Sequence, residues 1–327
     1  VTGNPSFIRR IYGDRIKKKV WHQAVMNLGQ RESRIITSLC SQLGYSRQSY
    51  YQFHLQTQKE ALQHDLLLQE VMAIRVHQKR LGTRKLIFMM QGFMEQHSIC
   101  IGRDAMFDLL AEHHLLVRKR KRGKPITTFS NHRMFKYRNL IAGFIPIMPN
   151  QLWVSDITYI IVADGFAYLS LVTDAYSRKI VGFCLCENLS ADGCIEALEI
   201  ALIENPVVEN LIHHSDRGSQ YCCADYVKLL NNKSIQISMT QSGDPLENAL
   251  AERVNGILKD ELLDTHYQNF LEAKRAVSMA ISIYNHQRPH SSIEYLTPVV
   301  AHQRTGELKK YWKNYYVITK RKEVAMT

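Results

Sequence analysis

The sequence lacks any apolar run of the length, about 18 residues, that a membrane-spanning helix needs. Its first twenty residues also lack the apolar stretch of a secretory signal. We therefore expect no membrane partner and a cytoplasmic location. No internal repeat of about 20–50 residues is present either, which argues against solenoid and propeller architectures.

Cysteine is sparse and follows no ligand pattern. The seven cysteines form no C-x-x-C pair and no spaced Cys/His quartet, so a structural zinc site is not expected. Reduced thiols packed as small apolar residues are the simpler interpretation. Four pairs lack partners at ligand spacing, and we expect core or surface roles for them: Cys184-x-Cys186, Cys222-Cys223, His113-His114 and His213-His214.

Charge is distributed unevenly along the 327 residues. The net charge is +12, yet residues 1–149 hold 25 Lys and Arg against 9 Asp and Glu, whereas residues 150–327 hold 17 against 21. Basic side chains gain affinity for nucleic acid because they release counterions from its phosphates. The basic half therefore indicates a nucleic-acid partner, with ordinary solubilising charge as the alternative.

The basic half is expected to begin with a helix-turn-helix. Apolar residues at helical spacing predict a helix over 31–43, and Ser46 is a natural N-cap for a second short helix over 47–54. Arg47 and Gln48 in that second helix are candidate DNA contacts. Any helical hairpin shows the same pattern, so this alternative stays open.

A second helical unit follows in the basic half. The charged segment 59–79 is expected to be a connecting or dimerising helix, although its heptads are not clean. Helices over 83–96 and 102–114 repeat the helix-turn-helix pattern, with Arg103 as a DNA contact. The run RKRKRGK then opens a linker over 118–149, and its clustered charges must stay solvated or meet phosphate. Its candidate DNA contacts are Arg118, Lys119, Arg120, Lys121 and Arg122.

Residues 150–327 instead show the two-residue period of side chains that is typical of strands. We predict strands at 152–160, 166–174, 179–186, 211–214 and 235–240, and helices at 191–203, 224–231 and 248–263. The order β-β-β-α-β-α-β-α is that of a ribonuclease-H-like α/β fold, with a mixed five-stranded sheet between helices. The expected domains are 1–58 (helix-turn-helix), 59–117 (second helical unit), 118–149 (basic linker), 150–300 (α/β core) and 301–327 (C-terminal tail).

Three carboxylates are candidates for catalytic residues. Asp156 lies inside an otherwise apolar first strand, where a charge is costly unless it is paired or metal-bound. Asp216 ends the fourth strand, and Glu252 lies one turn into the last predicted helix. In the predicted fold the end of the fourth strand lies beside the middle of the first, and the last helix packs against both. We therefore expect the three side chains to converge.

Converging carboxylates repel each other unless cations intervene. Oxygen ligands suit Mg²⁺, with Mn²⁺ as a substitute. Two such ions about 3.5–4 Å apart activate an attacking oxygen and stabilise a leaving oxygen at phosphorus. The residues thus predict two metal ions held by Asp156, Asp216 and Glu252, phosphoryl transfer on nucleic acid, and no nucleotide cofactor.

The last predicted helix carries Glu252, Gly256 and Lys259 at i, i+4 and i+7, which is one stripe. Glycine inside a helix costs roughly 0.5–1 kcal/mol relative to alanine. Gly256 therefore indicates either the close approach of a DNA backbone or tight helix packing. Lys259 is placed to contact a phosphate, with a solvated lysine as the alternative.

The remaining acidic residues of this half have structural interpretations. Asp164 belongs to a hairpin turn, and Asp174 is expected to cap the turn after the second strand. Glu247 lies in the loop before the last predicted helix, within reach of the three carboxylates. Asp260 and Glu261 are expected to face solvent.

Five blocks of the α/β half resemble a known family. They read WVSDITYI, VTDAYSRKIVG, HHSDRGSQY, SGDPLENALAERVNGILKDE and YNHQRPHSSI, and 35 residues separate Asp216 from Glu252. They are similar to the blocks of bacterial insertion-sequence transposases of the retroviral-integrase superfamily, specifically the IS-three family. The resemblance is strong over 150–300 and looser upstream, in LGTRKLI and IGRDAMFDLL.

The resemblance implies roles for individual residues. Asp156, Asp216 and Glu252 match the metal-binding catalytic triad, and Lys259 matches the basic DNA contact of the family. It further implies an Mg²⁺-dependent transposase that cuts and joins double-stranded DNA. Its partners would be the terminal inverted repeats of the element and a target DNA, bound by a homo-oligomer that works through a circular intermediate.

Some positions depart from the family or have no assigned role. The family commonly reads SGNPYDNALAES where this chain has Asp244, Leu246 and Glu247, and these departures bear on specificity more than on catalysis. A downstream block matches the family without a role that the sequence reveals: Tyr284, Asn285, Arg288, Pro289 and His290. The zinc-binding N-terminal domain of retroviral integrases has no counterpart.

Two alternatives to a transposase stay open. A ribonuclease-H-like nuclease shares the fold and the metals, but it leaves the N-terminal DNA-binding units without a use. A catalytically inactive DNA-binding regulator derived from a transposase needs only the basic half, and it leaves the three spaced carboxylates unexplained.

Overall fold

A computed structural model of the chain describes residues 35–42, 46–118, 132–241 and 245–311. The chain divides into two compact units, one of residues 1–72 with 93–101 and one of residues 73–92 with 102–327. Within the described ranges, no helix combines the length and the apolar character needed to cross a membrane.

Where it is described, the first unit is mainly helical, and its longer helix continues past the boundary at residue 72. α1 (Ile35–Gln42) lies within the helix predicted over 31–43. Ser46 caps the next helix as predicted, since its Oγ accepts a hydrogen bond from the Ser49 amide at 3.1 Å. That helix, α2 (Arg47–His77), runs for 31 residues. Its predicted end at residue 54 is wrong because no glycine or proline interrupts the sequence before residue 77.

Three short helices follow α2. α3 (Thr83–Met89) and α4 (Gln91–Gln96) divide what was predicted as one helix over 83–96, with the break at Met90. α5 (Arg103–Glu112) confirms the predicted helix over 102–114 and begins after an extended Gly102. In the second unit α3 packs against α5, around the buried side chains of Leu86, Met106, Leu109 and Leu110.

The second unit is built on a mixed five-stranded sheet. Its strands are β1 (Leu152–Val162), β2 (Gly165–Asp174), β3 (Ile180–Cys186), β4 (Ile212–Ser215) and β5 (Gln236–Met239). They lie in the order β3-β2-β1-β4-β5. β1, β2 and β3 are antiparallel to one another in turn, whereas β4 and β5 run parallel to β1. All five predicted strands are confirmed.

Helices cover both faces of the sheet. One face packs against α6 (Asp192–Glu204), α7 (Ser219–Cys222) and α8 (Ala224–Asn232). The other packs against α9 (Ala249–Ile257), a π-helical turn (Leu258–Leu262) and α10 (Phe270–His286). A 3-10 turn (Pro245–Asn248) precedes α9, and α11 (Pro298–Ala301) comes last. Side chains alternate between the two cores as a strand requires, Leu171 to one and Val172 to the other. The ribonuclease-H-like α/β fold is confirmed.

The 17-residue helix α10 is missing from the sequence prediction. Its start is capped by side chains: Oδ1 of the N-cap Asn269 accepts from the Glu272 amide at 2.8 Å, and Glu272 Oε2 accepts from the amide of Gln268, one residue before the N-cap, at 2.7 Å. An Asn three residues before a Glu is a signal that the sequence does contain, so this helix could have been predicted.

The part of the predicted linker that is described, residues 132–149, has neither helix nor strand, and its residues 138–140 lie along the sheet edge. The Met239 amide in β5 donates to the Arg138 carbonyl at 3.3 Å, and the Leu140 amide donates to Ser238 Oγ at 2.9 Å. These contacts cover the outer strand, whose backbone would otherwise stay unpaired.

Asn285, in the downstream block, joins α10 to the opposite edge strand. Its Oδ1 accepts from the Ile180 amide at 3.0 Å, and its Nδ2 donates to the Ile180 carbonyl at 2.9 Å. Because both backbone groups are buried, Asn285→Ala should lower the free energy of unfolding by roughly 1–3 kcal/mol in urea titrations. Asn232→Ala, at the exposed end of α8, is the control. A loss at Asn285 no larger than that of the control would contradict this role.

Candidate active site

The strand register brings Asp156 beside Asp216. β1 and β4 pair in parallel with Leu152 opposite Ile212 and Val154 opposite His214, a constant offset of 60 residues. The same offset places Asp156 opposite Asp216, one residue beyond the end of β4. Paired strands are about 4.8 Å apart, so the two aspartates start from neighbouring backbone positions.

Asp216 is oriented by the chain that follows it. Its Oδ1 accepts a hydrogen bond from the Gly218 amide at 3.0 Å. A Cβ at position 218 would lie only 3.1 Å from that oxygen. Glycine therefore lets the amide approach the carboxylate closely.

Glu252 reaches the same region from α9. The helix lies against β1, and its buried residues Ala251 and Val254 belong to two adjacent parts of the core. Glu252, between them in sequence, is exposed in the first turn of α9. The helix is thus anchored by its buried residues, with Glu252 on its exposed side.

The charges of the three carboxylates interact. Burial raises the pKa of the Asp156 carboxyl to about 7, and the negative charges of Asp216 and Glu252 contribute to that rise. Asn255 donates a hydrogen bond to Asp156 Oδ2 at 2.8 Å, which favours the charged form. A cluster of this composition could hold hard divalent cations, since these prefer carboxylate oxygens and would relieve the repulsion.

Asn255 is a site residue that the sequence analysis missed. It is buried. It also lies three residues after Glu252, a spacing that puts both side chains on one side of α9. That i, i+3 spacing beside a proposed catalytic glutamate was a usable signal.

Lys259 lies in the π turn, where the predicted regular helix over 248–263 changes its geometry. The turn is closed by the bond from the Leu263 amide to the Leu258 carbonyl at 2.8 Å. Lys259 Nζ lies 3.6 Å from the centre of the Tyr159 ring, a cation–π contact that the sequence did not suggest. Lys259 is therefore held near the end of β1.

Gly256 has space around its missing side chain. A Cβ built there would meet no heavy atom within 4 Å among the described residues, the backbone of its own helix aside. Of the two explanations for this glycine, tight helix packing is therefore not supported.

The basic DNA-contact candidates lie on the surface wherever they are described. In the first unit, Arg47 and Gln48 are exposed in the first turn of α2. In the second unit, Arg118 is exposed, and Arg103 is exposed at the start of α5, where it pairs with Asp104 at 2.8 Å. Lys119, Arg120, Lys121 and Arg122 lie outside the described residues. DNA binding by these side chains stays a prediction.

His213 and His214 have core roles. The hydroxyls of Ser155 and Tyr226 lie 2.8 and 2.9 Å from His213 Nε2, and burial lowers the pKa of this histidine to about 3. Ser238 Oγ lies 2.8 Å from His214 Nδ1, and burial lowers the pKa of His214 to about 4. Both imidazoles are neutral and hydrogen-bonded, in line with the expectation that they are not ligands.

The cysteine pair of β3 acquires a neighbour that the sequence did not reveal. Potential ligand atoms of Cys184, Cys186 and Glu196 lie within 4.8 Å of one another, with the two sulfurs 3.4 Å apart. Burial and a hydrogen bond with Glu196 raise the pKa of the Cys184 thiol. A protonated thiol bonded to a carboxylate accounts for this proximity without a metal.

Two interpretations of acidic residues can now be compared with the structure. Asp174 caps the turn as predicted, since its Oδ1 accepts from the Ser177 amide at 2.7 Å. The prediction that Glu261 faces solvent is wrong. Its carboxylate is largely buried and forms ion pairs with Arg288 at 2.8 Å and Lys85 at 3.4 Å. A helical pattern alone does not reveal partners that distant segments supply.

Asp156 should make the metal-free protein sensitive to pH. Because its folded pKa of about 7 exceeds the ordinary value of 3.8 for an aspartate, the folded state binds the extra proton, and stability falls as pH rises through this interval. Asp156→Asn should therefore be more stable than the parent at pH 8 in EDTA, with the difference shrinking towards pH 4. Calorimetry would measure it, with the exposed turn variant Asp164→Asn as control. A pH-independent difference would rule out this electrostatic origin.

Comparison with known proteins agrees with the fold and the sequence blocks. Two models of the integrase core domain match residues 146–245 and 233–298. The uncharacterized 31 kDa protein of insertion element IS600 from Shigella sonnei is 34% identical over 277 residues, which is 83% of this chain and 99% of that protein. The IS629 transposase of the same organism is 28% identical, covering 83% of this chain and 92% of the transposase.

Two further similarities cover about half of this chain. Transposase InsF of insertion sequence IS3A from Escherichia coli K12 is 34% identical over 46% of this chain and 53% of its own length. The HTLV-2 integrase catalytic core domain, solved in complex with magnesium, is 19% identical over 49% of this chain and 100% of that chain, with a TM-score of 0.39. The near full-length relatives and the integrase core models decide the assignment: the chain belongs to the insertion-sequence transposases with a retroviral-integrase-type core.

Proposed function

We propose that this chain binds the ends of an insertion sequence and performs Mg²⁺-dependent DNA strand cleavage and strand transfer. DNA transposition is the general activity of its family. The observation that carries the finer proposal is the grouping of Asp156 with Asp216 and Glu252: burial, and after it the negative charges of these two neighbours, raises the pKa of Asp156. This electrostatic cost needs a compensating charge, and a bound divalent cation would supply it.

The donor set fits Mg²⁺, with Mn²⁺ as a substitute. All three groups are carboxylates, the ligands that hard cations prefer, and two ions are the expected number at such a site. When bound, the ions would activate the attacking oxygen and neutralise charge on the transferred phosphoryl group. Asp156, Asp216 and Glu252 would hold them, while Asn255 fixes the orientation of the Asp156 carboxylate.

The surroundings of the carboxylates suit a DNA backbone. Lys259, supported by the Tyr159 ring, supplies a positive charge for a phosphate. Gly256, with open space over its Cα, lets the backbone come close to α9. Arg47, Gln48 and Arg103 would contact the element end elsewhere, together with the basic run at 118–122. As a transposase joins two ends to a target, we expect a homo-oligomer on DNA.

Asp216→Asn tests the chemistry directly. With a labelled duplex that carries the terminal inverted repeat and with Mg²⁺, the parent protein should produce a 3′-OH nick and then a joined product. Asp216→Asn should reduce both to the level seen without Mg²⁺, since the amide cannot neutralise a cation, while DNA binding persists. Asp225→Asn, an exposed change at the start of α8, should retain activity.

Each opposite result favours one of the two alternatives. Binding by the parent protein without any strand cleavage would favour the DNA-binding regulator. Cleavage of RNA–DNA hybrids with end duplexes left intact would favour the nuclease.

Lys259→Met tests the phosphate contact. Loss of one phosphate contact should weaken binding of the element end. It should also make the plot of the logarithm of the binding constant against the logarithm of the salt concentration less steep, by about 0.9 in slope. Fluorescence anisotropy over a salt series would measure the slope. Lys274→Met, an exposed lysine on α10, is the matched control. An unchanged slope would exclude Lys259 from the DNA interface.

A further inference from the structure

Glu261 is the centre of a largely buried ion cluster. Arg288 donates from Nε and Nη2 to the two carboxylate oxygens at 2.9 and 2.8 Å. Lys85 Nζ lies 3.4 Å from each of the same oxygens. The side chains of Arg288, Lys85 and Glu261 are only 2%, 17% and 16% exposed. We call these three residues the Glu261 cluster.

The cluster joins three segments that are far apart in sequence. Glu261 lies in the π turn, Arg288 follows α10, and Lys85 lies in α3. Backbone contacts support the same connection, since the Arg80 amide donates to the Glu261 carbonyl at 3.3 Å. The rings of Phe88 and Tyr295 add a stacked contact with their centres 4.7 Å apart. α3 and the residues just before it are thus attached to the π turn and to the segment after α10, all within the second unit.

This attachment connects α9, which carries Glu252, to α5, which carries the candidate DNA contact Arg103. Glu252 lies nine positions before Glu261, about 14 Å along the helix axis. On the other side, α3 packs against α5, which begins with Arg103. A continuous path of packed elements therefore runs from Arg103 through the Glu261 cluster to Glu252.

The composition of the cluster argues against a role in stability alone. Two cations surround one carboxylate, and burial together with the charge of Arg288 lowers the pKa of Lys85 to about 8. A buried charge in such a position returns little net stability compared with an apolar side chain. Buried ion pairs can instead impose one specific arrangement of the elements that they join.

We propose that the Glu261 cluster fixes the position of the packed helices α3 and α5 relative to the three carboxylates and so determines which phosphate of the bound DNA end is cut. This inference rests on the proposed function. Lys85, Glu261 and Arg288 act here as positioning residues, because none of them is assigned a contact with the reacting atoms.

Lys85→Met is the decisive variant. Methionine fills the space of the lysine stem and removes the charge that burial disfavours, so the fold should persist with a melting temperature at least equal to that of the parent. Cleavage of an end-labelled duplex, resolved to single nucleotides, should show cuts at neighbouring phosphates rising at least several-fold relative to the cut at the parental position. Lys79→Met is the control, since Lys79 pairs with Asp264 in the same region while both side chains are more than half exposed, at 57% and 54%.

A second variant loosens the same attachment away from the charges. Phe88→Ala removes the stack on Tyr295 and should also spread the cut positions, even if Lys85→Met were to fold poorly. A parental distribution of cuts in either folded variant would overturn the proposal. Absence of Mg²⁺-dependent cleavage in the parent protein would instead refute the proposed function, so the two failures are distinguishable.

Discussion

The parallel pairing of β1 with β4 is the constraint on which the site depends. Its offset of 60 residues places Asp156 level with Asp216, and hydrogen bonding along the strands holds that alignment. A shift of the pairing by one residue would turn the side chains of the shifted strand to the opposite face of the sheet. The surrounding hydrophobic contacts oppose such a shift, since Leu152, Val154 and Ile212 pack in one cluster with Ala251 of α9. The core that holds α9 on the sheet therefore also sets the position of the carboxylates.

The site has an electrostatic cost that the rest of the domain must offset. Asp156 is partly buried and lies near two other acidic groups, and the rise of its pKa to about 7 reflects first this burial and then the repulsion by Asp216 and Glu252. Asn255 opposes the repulsion with one hydrogen bond, and buried apolar residues on either side of Glu252 anchor its helix. Two residues of the downstream block support the site from outside it. Asn285 joins α10 to β3, and Arg288 pairs with Glu261 in the π turn that also carries Lys259. This gives the block a structural role that its sequence did not disclose.

Much of the fold could be predicted because its signals are local. Short segments rich in β-forming or buried residues marked the strands, and turn residues marked the hairpin at Asp164. The errors have physical causes as well. α2 was predicted as two segments although no helix breaker lies within it, and α10 was overlooked although Asn269 is a favoured N-cap residue and accepts from the Glu272 amide. The burial of Glu261 was beyond such reasoning, because its partners Lys85 and Arg288 lie 176 and 27 residues away.

The sequence by itself determined the fold class, the three carboxylates with their spacing, and the concentration of positive charge in the first 149 residues. These are properties of residue type and order, and they survive without knowledge of contacts. Only the tertiary structure decided what each side chain meets. Asn255 donates a hydrogen bond to Asp156, and Lys259, in the π turn, lies over the ring of Tyr159. The space beside Gly256 is open, and Lys85 of α3 pairs with Glu261 in the π turn that follows α9. Pairings of this kind arise from packing between segments distant in the chain, and no local pattern encodes them.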